Sequence, residues 1–449
     1  MGKTINIQPL SRIEGHANIK IHLDDQGNVD KAVTHFNSIR GFEKYVQGKP
    51  AEEVTRIVTR ICGICPWHHH LASTKAVDAC FGADVSPAGH ILRECMQNMA
   101  QINDKILHFY FLAAPDFVMG PDADYSVRNV IGIAGAVPDL AKQVIKMRQL
   151  GQMMMEKFAG KVIHPIAAVP GGFSKPMSES QRQSLIKDTE ELFEFSKYTI
   201  KYAKEVIFPK YLDEVTTLGT ITSGFIGTVD EDGSLNFYDG NIRLMKPDGS
   251  YTDFHDSQYL DYIGEHVTDV SYGKYPYAKS WDQGFSMDLE DPKGIYRSNC
   301  LARINVCDQI STPLAQAELE EFRNNFGRPA QHTLLYHWAR LIELVYACEK
   351  TLELLQNPEI TNPQTRLDVT PSAGRGVGHV EAPRGTLIHD YTTDENGMMV
   401  SANMIVGTTH NLAPISMSVE QSAKMLIKDG HVDEGILNRV EMAVRAYDP

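Results

Sequence analysis

The chain is a succession of long apolar stripes at helical spacing, broken by shorter runs that alternate. In residues 4–36 the segment Ala17-Asn-Ile-Lys-Ile-His-Leu23 places its apolar side chains on one face, turns at Asp24-Asp-Gln-Gly27 and resumes at Val29. That pattern predicts a β-hairpin. From Ser86-Pro87, an N-cap followed by a proline at the first helical position, Ile91, Cys95, Met99, Ile102 and Ile106 share a face. A helix to about Leu112 is expected. Further helices are expected over 139–159, over 179–206 behind the capping box of Ser178 and Gln181, and over 329–356 on the face of Leu334, Leu341, Leu344 and Leu352. Residues 214–280 change character, with Asp-Gly turns at 232, 239 and 248 separating short runs rich in Tyr, Thr and Ser. This reads as a small β-rich insertion. A second hairpin is expected over 379–407 around Asp394-Glu-Asn-Gly397, and two helices near 415–428 and 434–446. The expected fold is mainly α: a core bundle of long helices with peripheral β-hairpins and the 214–280 insertion, α+β overall, in a single domain over 1–449.

One helix carries the chemistry. Arg60-Ile-Cys-Gly-Ile-Cys-Pro-Trp-His-His-His70 brings two thiols, two residues apart, to the start of an apolar-faced helix that Gly82 ends. Gly63 lets the backbone fold back between the thiols, and a helix N-terminus lowers thiol pKa toward the ligating thiolate. On its own a Cys-x-x-Cys pair is also consistent with a redox pair or half of a zinc site, although neither completes itself nearby. Cys80 is expected on the buried face of the helix.

Charge and cysteine usage narrow the classes. The 449 residues carry 43 basic and 57 acidic side chains, a formal net charge of −14, with no basic cluster. A nucleic-acid partner is therefore not expected. Seven cysteines, an odd number spread thinly, suit reduced intracellular thiols better than disulfides. No basic-then-apolar leader and no apolar run of about 18 residues is present, so a membrane span is not expected and a cytoplasmic location is.

Read together, the motifs resemble the large subunit of nickel-iron hydrogenases over nearly the whole chain. Arg60, Cys62, Gly63, Cys65 and His69 match the first cysteine motif of that family. In the family's order come Arg12-Ile-Glu-Gly-His16, Arg40-Gly-Phe-Glu43, His108-Phe-Tyr-Phe-Leu-Ala-Ala-Pro-Asp116, His164-Pro165 with Pro170-Gly-Gly172, Glu381-Ala-Pro-Arg-Gly385 and Arg445-Ala-Tyr-Asp-Pro449. Seven ordered motifs outweigh the zinc and redox readings.

The resemblance implies a bimetallic centre in which four thiolates hold nickel and two of them bridge to an iron carrying carbon monoxide and two cyanides. By motif position Cys62 is a terminal nickel ligand, Cys65 a bridge, and His69 a hydrogen-bonding neighbour of a cysteine sulfur. Glu14 falls where the family has the first proton relay of heterolytic dihydrogen cleavage. Arg384 falls where a guanidinium hangs over the open metal positions, with Pro383, Asp116 and Asp448 around it. Thr408 corresponds to a hydroxyl that hydrogen-bonds a cyanide, and Glu43 to a carboxylate that binds magnesium near the C-terminus. The implied partners are heterodisulfide reductase, a further electron-transfer protein and an iron-sulfur small subunit holding the clusters. Gly407-Thr-Thr-His-Asn411 is similar to the cytosolic, viologen-reducing, non-deazaflavin-reducing branch of methanogens and some anaerobic bacteria. The alternative class is a metal-free scaffold related to the quinone-side subunit of respiratory complex I, against which Cys62, Cys65, Glu14 and Arg384 all count.

The family's second cysteine motif begins here with Asp448-Pro449. Two thiolates cannot make a four-thiolate site, so a missing pair is expected. Three sources are open: a truncated motif, a short separate subunit, or a reading frame halted at a stop codon that encodes selenocysteine.

Overall fold

The computed structural model describes residues 3–449. Its amino-terminal sheet has three strands, β1 (Thr4–Ile7), β2 (Ala17–Leu23) and β3 (Val29–Phe36), all antiparallel. The expected hairpin is β2–β3; the added strand pairs Ile5 with Ile21 and Ile7 with Ile19, extending one apolar face.

The core is a bundle of long helices. Helix α1 (Pro66–Phe81) starts at the cysteine motif, and α2 (Pro87–Leu107), α3 (Pro138–Ala159), α4 (Glu179–Tyr202) and α5 (Tyr336–Gln356) follow. Each of α2 to α5 packs on two of the others, which closes a four-helix arrangement beside α1. Local chemistry fixes the starts. Proline occupies the first turn of α1, α2 and α3, and the Ser178 hydroxyl of α4 accepts from the Gln181 N–H at 3.2 Å while Gln181 Oε1 answers the Ser178 N–H at 3.0 Å. Gly82 ends α1 with φ +59°, a left-handed cap. Two expected helices stop short: α2 gives way at His108–Ala113, and α4 at Ala203–Ile207, to a wider turn with its hydrogen bonds shifted by one residue.

The 214–280 region holds β4 (Gly224–Val229), β5 (Asn241–Met245) and β6 (Tyr251–Phe254) in one sheet, which β7 (Tyr296–Arg297) joins from outside that range. The second expected hairpin is larger than its pattern suggests. Strands β8 (Gly374–Ala382), β9 (Gly385–Thr393) and β10 (Met399–Ile405) form an antiparallel sheet with the Asp394–Gly397 turn between the last two. Between the first two, Ala382 pairs with Gly385, leaving Pro383-Arg384 as a two-residue tip. Gly374, Gly376 and Gly378 share the face of β8 that lies on α1; a Cβ on any of them would meet backbone of Cys80, Ala76 or Ala72 at 2.2–2.5 Å. Helices α6 (Leu412–Leu426) and α7 (Glu434–Ala446) complete the described chain and pack on each other. The architecture is the expected α+β one.

Candidate metal centre

The cysteine loop lies between a short turn at Val58–Arg60 and α1. It curls so that the Cys65 N–H donates to Cys62 Sγ at 3.1 Å. Both thiols line a cavity of about 370 Å³ whose wall includes Glu14, His69, Arg384 and Thr408. Hydrogen bonding to Cys62, burial, and the Cys62 charge push the Cys65 thiol well above its ordinary pKa, and Arg384 pulls it back only in part. A thiol held up in this way gives up its proton more readily once a cation sits beside it, which is the behaviour of a metal ligand.

Glu14 closes one side. Its Oε2 is 3.2 Å from Cys62 Sγ, and its Oε1 accepts the Gly63 N–H at 3.1 Å. The Glu14 N–H donates to the Pro449 carbonyl at 3.0 Å. The loop that carries it is bolted down by Arg12, whose Nη1 donates to the Leu112 carbonyl at 2.7 Å.

Arg384 faces the thiols from the tip of the β8–β9 turn, and it is buried. Its Nη1 donates to Asp104 Oδ2 at 3.1 Å and its Nη2 lies 2.9 Å from Asp448 Oδ1, while Nε has no partner. Burial alone would lower its pKa. The charges of Asp104, Asp448 and the two cysteines outweigh burial and hold it well above the ordinary value.

The structure corrects one expected contact. Asp116 is not around Arg384: it pairs with Arg12 and with Arg445 at 2.9 Å and accepts from Asn438 at 3.2 Å. Burial would raise its pKa, but the two guanidinium groups bring it below the usual carboxylate value. Asp104 takes the expected place beside the guanidinium. It belongs to a buried polar row on α2, Gln97, Gln101, Asp104 and Lys105, continued by His108. That row, at helical spacing opposite the apolar face, is the signal the sequence offers for it.

The remaining candidates separate. His69 is fully buried, its Nδ1 is 3.3 Å from His389 Nε2, and its own Nε2 has no partner. Burial takes its pKa down to about 3, so the ring is neutral. Thr408 lines the cavity half-buried. Pro383 does not line it; its carbonyl accepts from Arg303 Nη2 at 3.1 Å, fixing the turn from behind. Glu43 lines the cavity but is held by Arg40 Nε at 2.6 Å, and Arg40 also grips Glu265 at 2.8 Å. The guanidinium engages only Glu43 Oε1, which leaves Oε2 open to a further partner. Cys80, Cys95, Cys300, Cys307 and Cys348 are buried away from the cavity lining. Among the described residues, no group of three or more His, Cys, Asp or Glu is set to hold a metal by itself.

The family model described as nickel-dependent hydrogenase matches residues 40–126, and one described as HoxL-like matches residues 4–39. The chain is 49% identical to a vhu F420-non-reducing hydrogenase subunit of Methanococcus voltae, over 96% of this chain and 100% of that protein. The chain belongs to the nickel-dependent hydrogenases. The corresponding vhu subunit of Methanocaldococcus jannaschii is 47% identical over 95% of this chain and 100% of its own length. A solved NAD+-reducing [NiFe]-hydrogenase in the H2-reduced state superposes with a TM-score of 0.93 at 37% identity, covering 100% of this chain and 98% of that one. This hydrogenase chain is a large subunit of the F420-non-reducing type, part of a multi-subunit enzyme with a small-subunit partner. The scaffold alternative is set aside.

A nickel-iron centre is the cofactor of such an enzyme, and the residues present fit it. Cys62 and Cys65 supply soft thiolate donors, which suit nickel and iron. Arg384 Nε and Nη2 and His69 Nε2 are buried polar atoms without a hydrogen-bond partner, and both residues line the cavity. No helix among the described residues is long and apolar enough to cross a membrane.

Proposed function

We propose that this protein cleaves dihydrogen heterolytically and reversibly, with Cys62 and Cys65 the residues of this chain that would hold a nickel-iron centre. The observation that carries the reading is the 3.2 Å contact between Glu14 Oε2 and Cys62 Sγ in a cavity overlooked by a buried guanidinium. When bound, the metal pair, its iron carrying carbon monoxide and two cyanides, supplies the electrophilic site for dihydrogen and the capacity to take up its electrons. The side chains do the rest. Glu14 accepts the proton from the Cys62 side and passes it toward the exposed Gly15-His16 edge of its loop. Arg384, paired with Asp104 and Asp448, holds a positive charge on the wall that faces the thiols, where it polarises dihydrogen without reorienting. Thr408 offers a hydroxyl to a cyanide. Asp116 supports the Glu14 loop through Arg12 rather than touching substrate.

Electrons leave to an iron-sulfur small subunit, then through a further electron-transfer protein to heterodisulfide reductase in the cytoplasm. Two further thiolates would complete the set, and Pro449, Phe36 and Leu412 line the same cavity as Cys62 and Cys65. The purified native complex is expected to hold stoichiometric nickel and iron and to reduce a viologen with dihydrogen. A complex without nickel would sink the reading.

A further inference from the structure

We propose that Arg303 is the positioning residue of Arg384: its guanidinium holds the carbonyls that carry the Pro383-Arg384 tip, and so sets where the Arg384 side chain stands against the thiols. The inference rests on Arg384 acting at the hydrogenase site.

The tip needs outside support. Pro383 fixes φ at about −65° at the first of its two positions, whereas two-residue hairpins favour a positive φ there. Arg303 supplies the support from behind the turn, on the short helix Cys300–Val306. Its Nη1 donates to the Ala382 carbonyl at 2.9 Å and its Nη2 to the Pro383 carbonyl at 3.1 Å, so one planar group grips the two consecutive carbonyls that lead into Arg384. The same fork is itself gripped. Its Nε and Nη2 donate to the two oxygens of Glu343 on α5 at 2.6 and 2.8 Å, and its Nη1 donates to Glu381 Oε2 at 2.8 Å. A guanidinium has five N–H groups in a fixed plane, and five oxygens stand around this one. That leaves it a single orientation.

Lys105 on α2 completes the cluster, 2.8 Å from Glu343 Oε2, and all four charged side chains are buried. Burial would lower the pKa of Arg303, but Glu343, Cys300 and Glu381 hold it well above its ordinary value. Burial would raise the pKa of Glu343, but Arg303 and Lys105 bring it down to about 2. Replacing such a buried cluster by apolar packing often leaves stability unchanged, because desolvation offsets the attraction. What the cluster adds here is geometry. It is a fixed fork behind the tip, in which two cations are balanced by two carboxylates and no net charge is added beside the thiols.

Crystal structures and kinetics of the native complex carrying Arg303→Lys test this. A lysine keeps the charge but offers three N–H groups and no planar fork. Nickel and iron content is expected to stay native, the Arg384 guanidinium to shift by about 1 Å against Cys62 and Cys65, and turnover to fall by about 10–10²-fold. In an Arg384→Lys background the same substitution is expected to cost less than about 2-fold, because Arg303 acts through the side chain already removed. A merely structural role predicts the same fall in both backgrounds, and that result, or an unmoved guanidinium, overturns the proposal. Lys105→Met combined with Glu343→Gln keeps Arg303 and the charge balance while loosening the grip on the fork. This pair is expected to give a smaller shift with the same dependence on Arg384. Failure of both variants to fold would make the cluster a stability element and likewise overturn the proposal. A native complex that does not turn over dihydrogen would instead count against the hydrogenase assignment, leaving the position of Arg384 in the crystals readable.

Discussion

Glu14 Oε2 and Cys62 Sγ stand 3.2 Å apart across 48 residues of sequence, with the Gly63 N–H holding the other carboxylate oxygen at 3.1 Å. The carboxylate is thus aimed, and one of its oxygens is free to exchange a proton with sulfur. Glu14→Gln keeps the shape and the Gly63 contact but cannot relay a proton. Metal content should be unchanged and hydrogen/deuterium exchange should fall by about 10²–10⁴-fold. Exchange at the native rate in a fully loaded variant removes Glu14 from the mechanism.

Arg384→Lys replaces a planar group gripped at both ends by a single flexible ammonium. Turnover should fall by about 10²-fold or more with nickel and iron retained. Metal analysis beside the activity assay decides the matter: near-native turnover would make the arginine structural.

Asp116 belongs to the scaffold. Asp116→Asn leaves Arg12 and Arg445 facing each other without their shared carboxylate, and breaking a buried pair of this kind costs about 3–5 kcal/mol. Denaturant unfolding should show that loss, while turnover per loaded and folded molecule stays within a few-fold of native. A variant of native stability with abolished turnover would restore Asp116 to the catalytic set.

Acid should weaken the fold well before the carboxylates titrate. Burial lowers His70 to about 4 and His410 to about 3, and both are neutral in the folded protein. Unfolded histidines take up protons near pH 6.5, so between there and about pH 4 the unfolded state binds more protons and stability falls as pH falls. His70 alone accounts for on the order of 3 kcal/mol across that window. Melting temperatures measured across it should drop, and His70→Gln, which keeps a donor for the Thr55 carbonyl, should flatten the drop. A pH-independent melting temperature contradicts this.

The parts of the site that can be read in the sequence are those whose chemistry is local. Cys62, Cys65, Pro66 and His69 follow one another within a loop and a helical turn, and Arg384 announces itself inside a five-residue motif. Asp104 cannot be read that way, because a buried polar stripe on α2 has the same spacing as an exposed one and only the tertiary fold distinguishes them. Similarly, the apolar pattern carries α2 on to Leu112. The widened turn at His108–Ala113 instead occurs where Arg12 takes the Leu112 carbonyl and Arg445 offers its carbonyl to His108 Nε2 at 2.8 Å. The turn at Pro383-Arg384 escapes a reading of the sequence because Glu381-Ala-Pro-Arg-Gly lacks the Asn-Gly or Asp-Gly signature of a hairpin, whereas Asp394-Glu-Asn-Gly has it.

The glycine face of β8 fuses that strand to α1 backbone to backbone. One element begins just after Cys65 and the other leads directly into Arg384, and at Gly374, Gly376 and Gly378 no side chain lies between them to rotate, compress or be exchanged. Thiols and guanidinium are therefore joined by a single stiff bracket whose dimensions are set by main-chain contact distances.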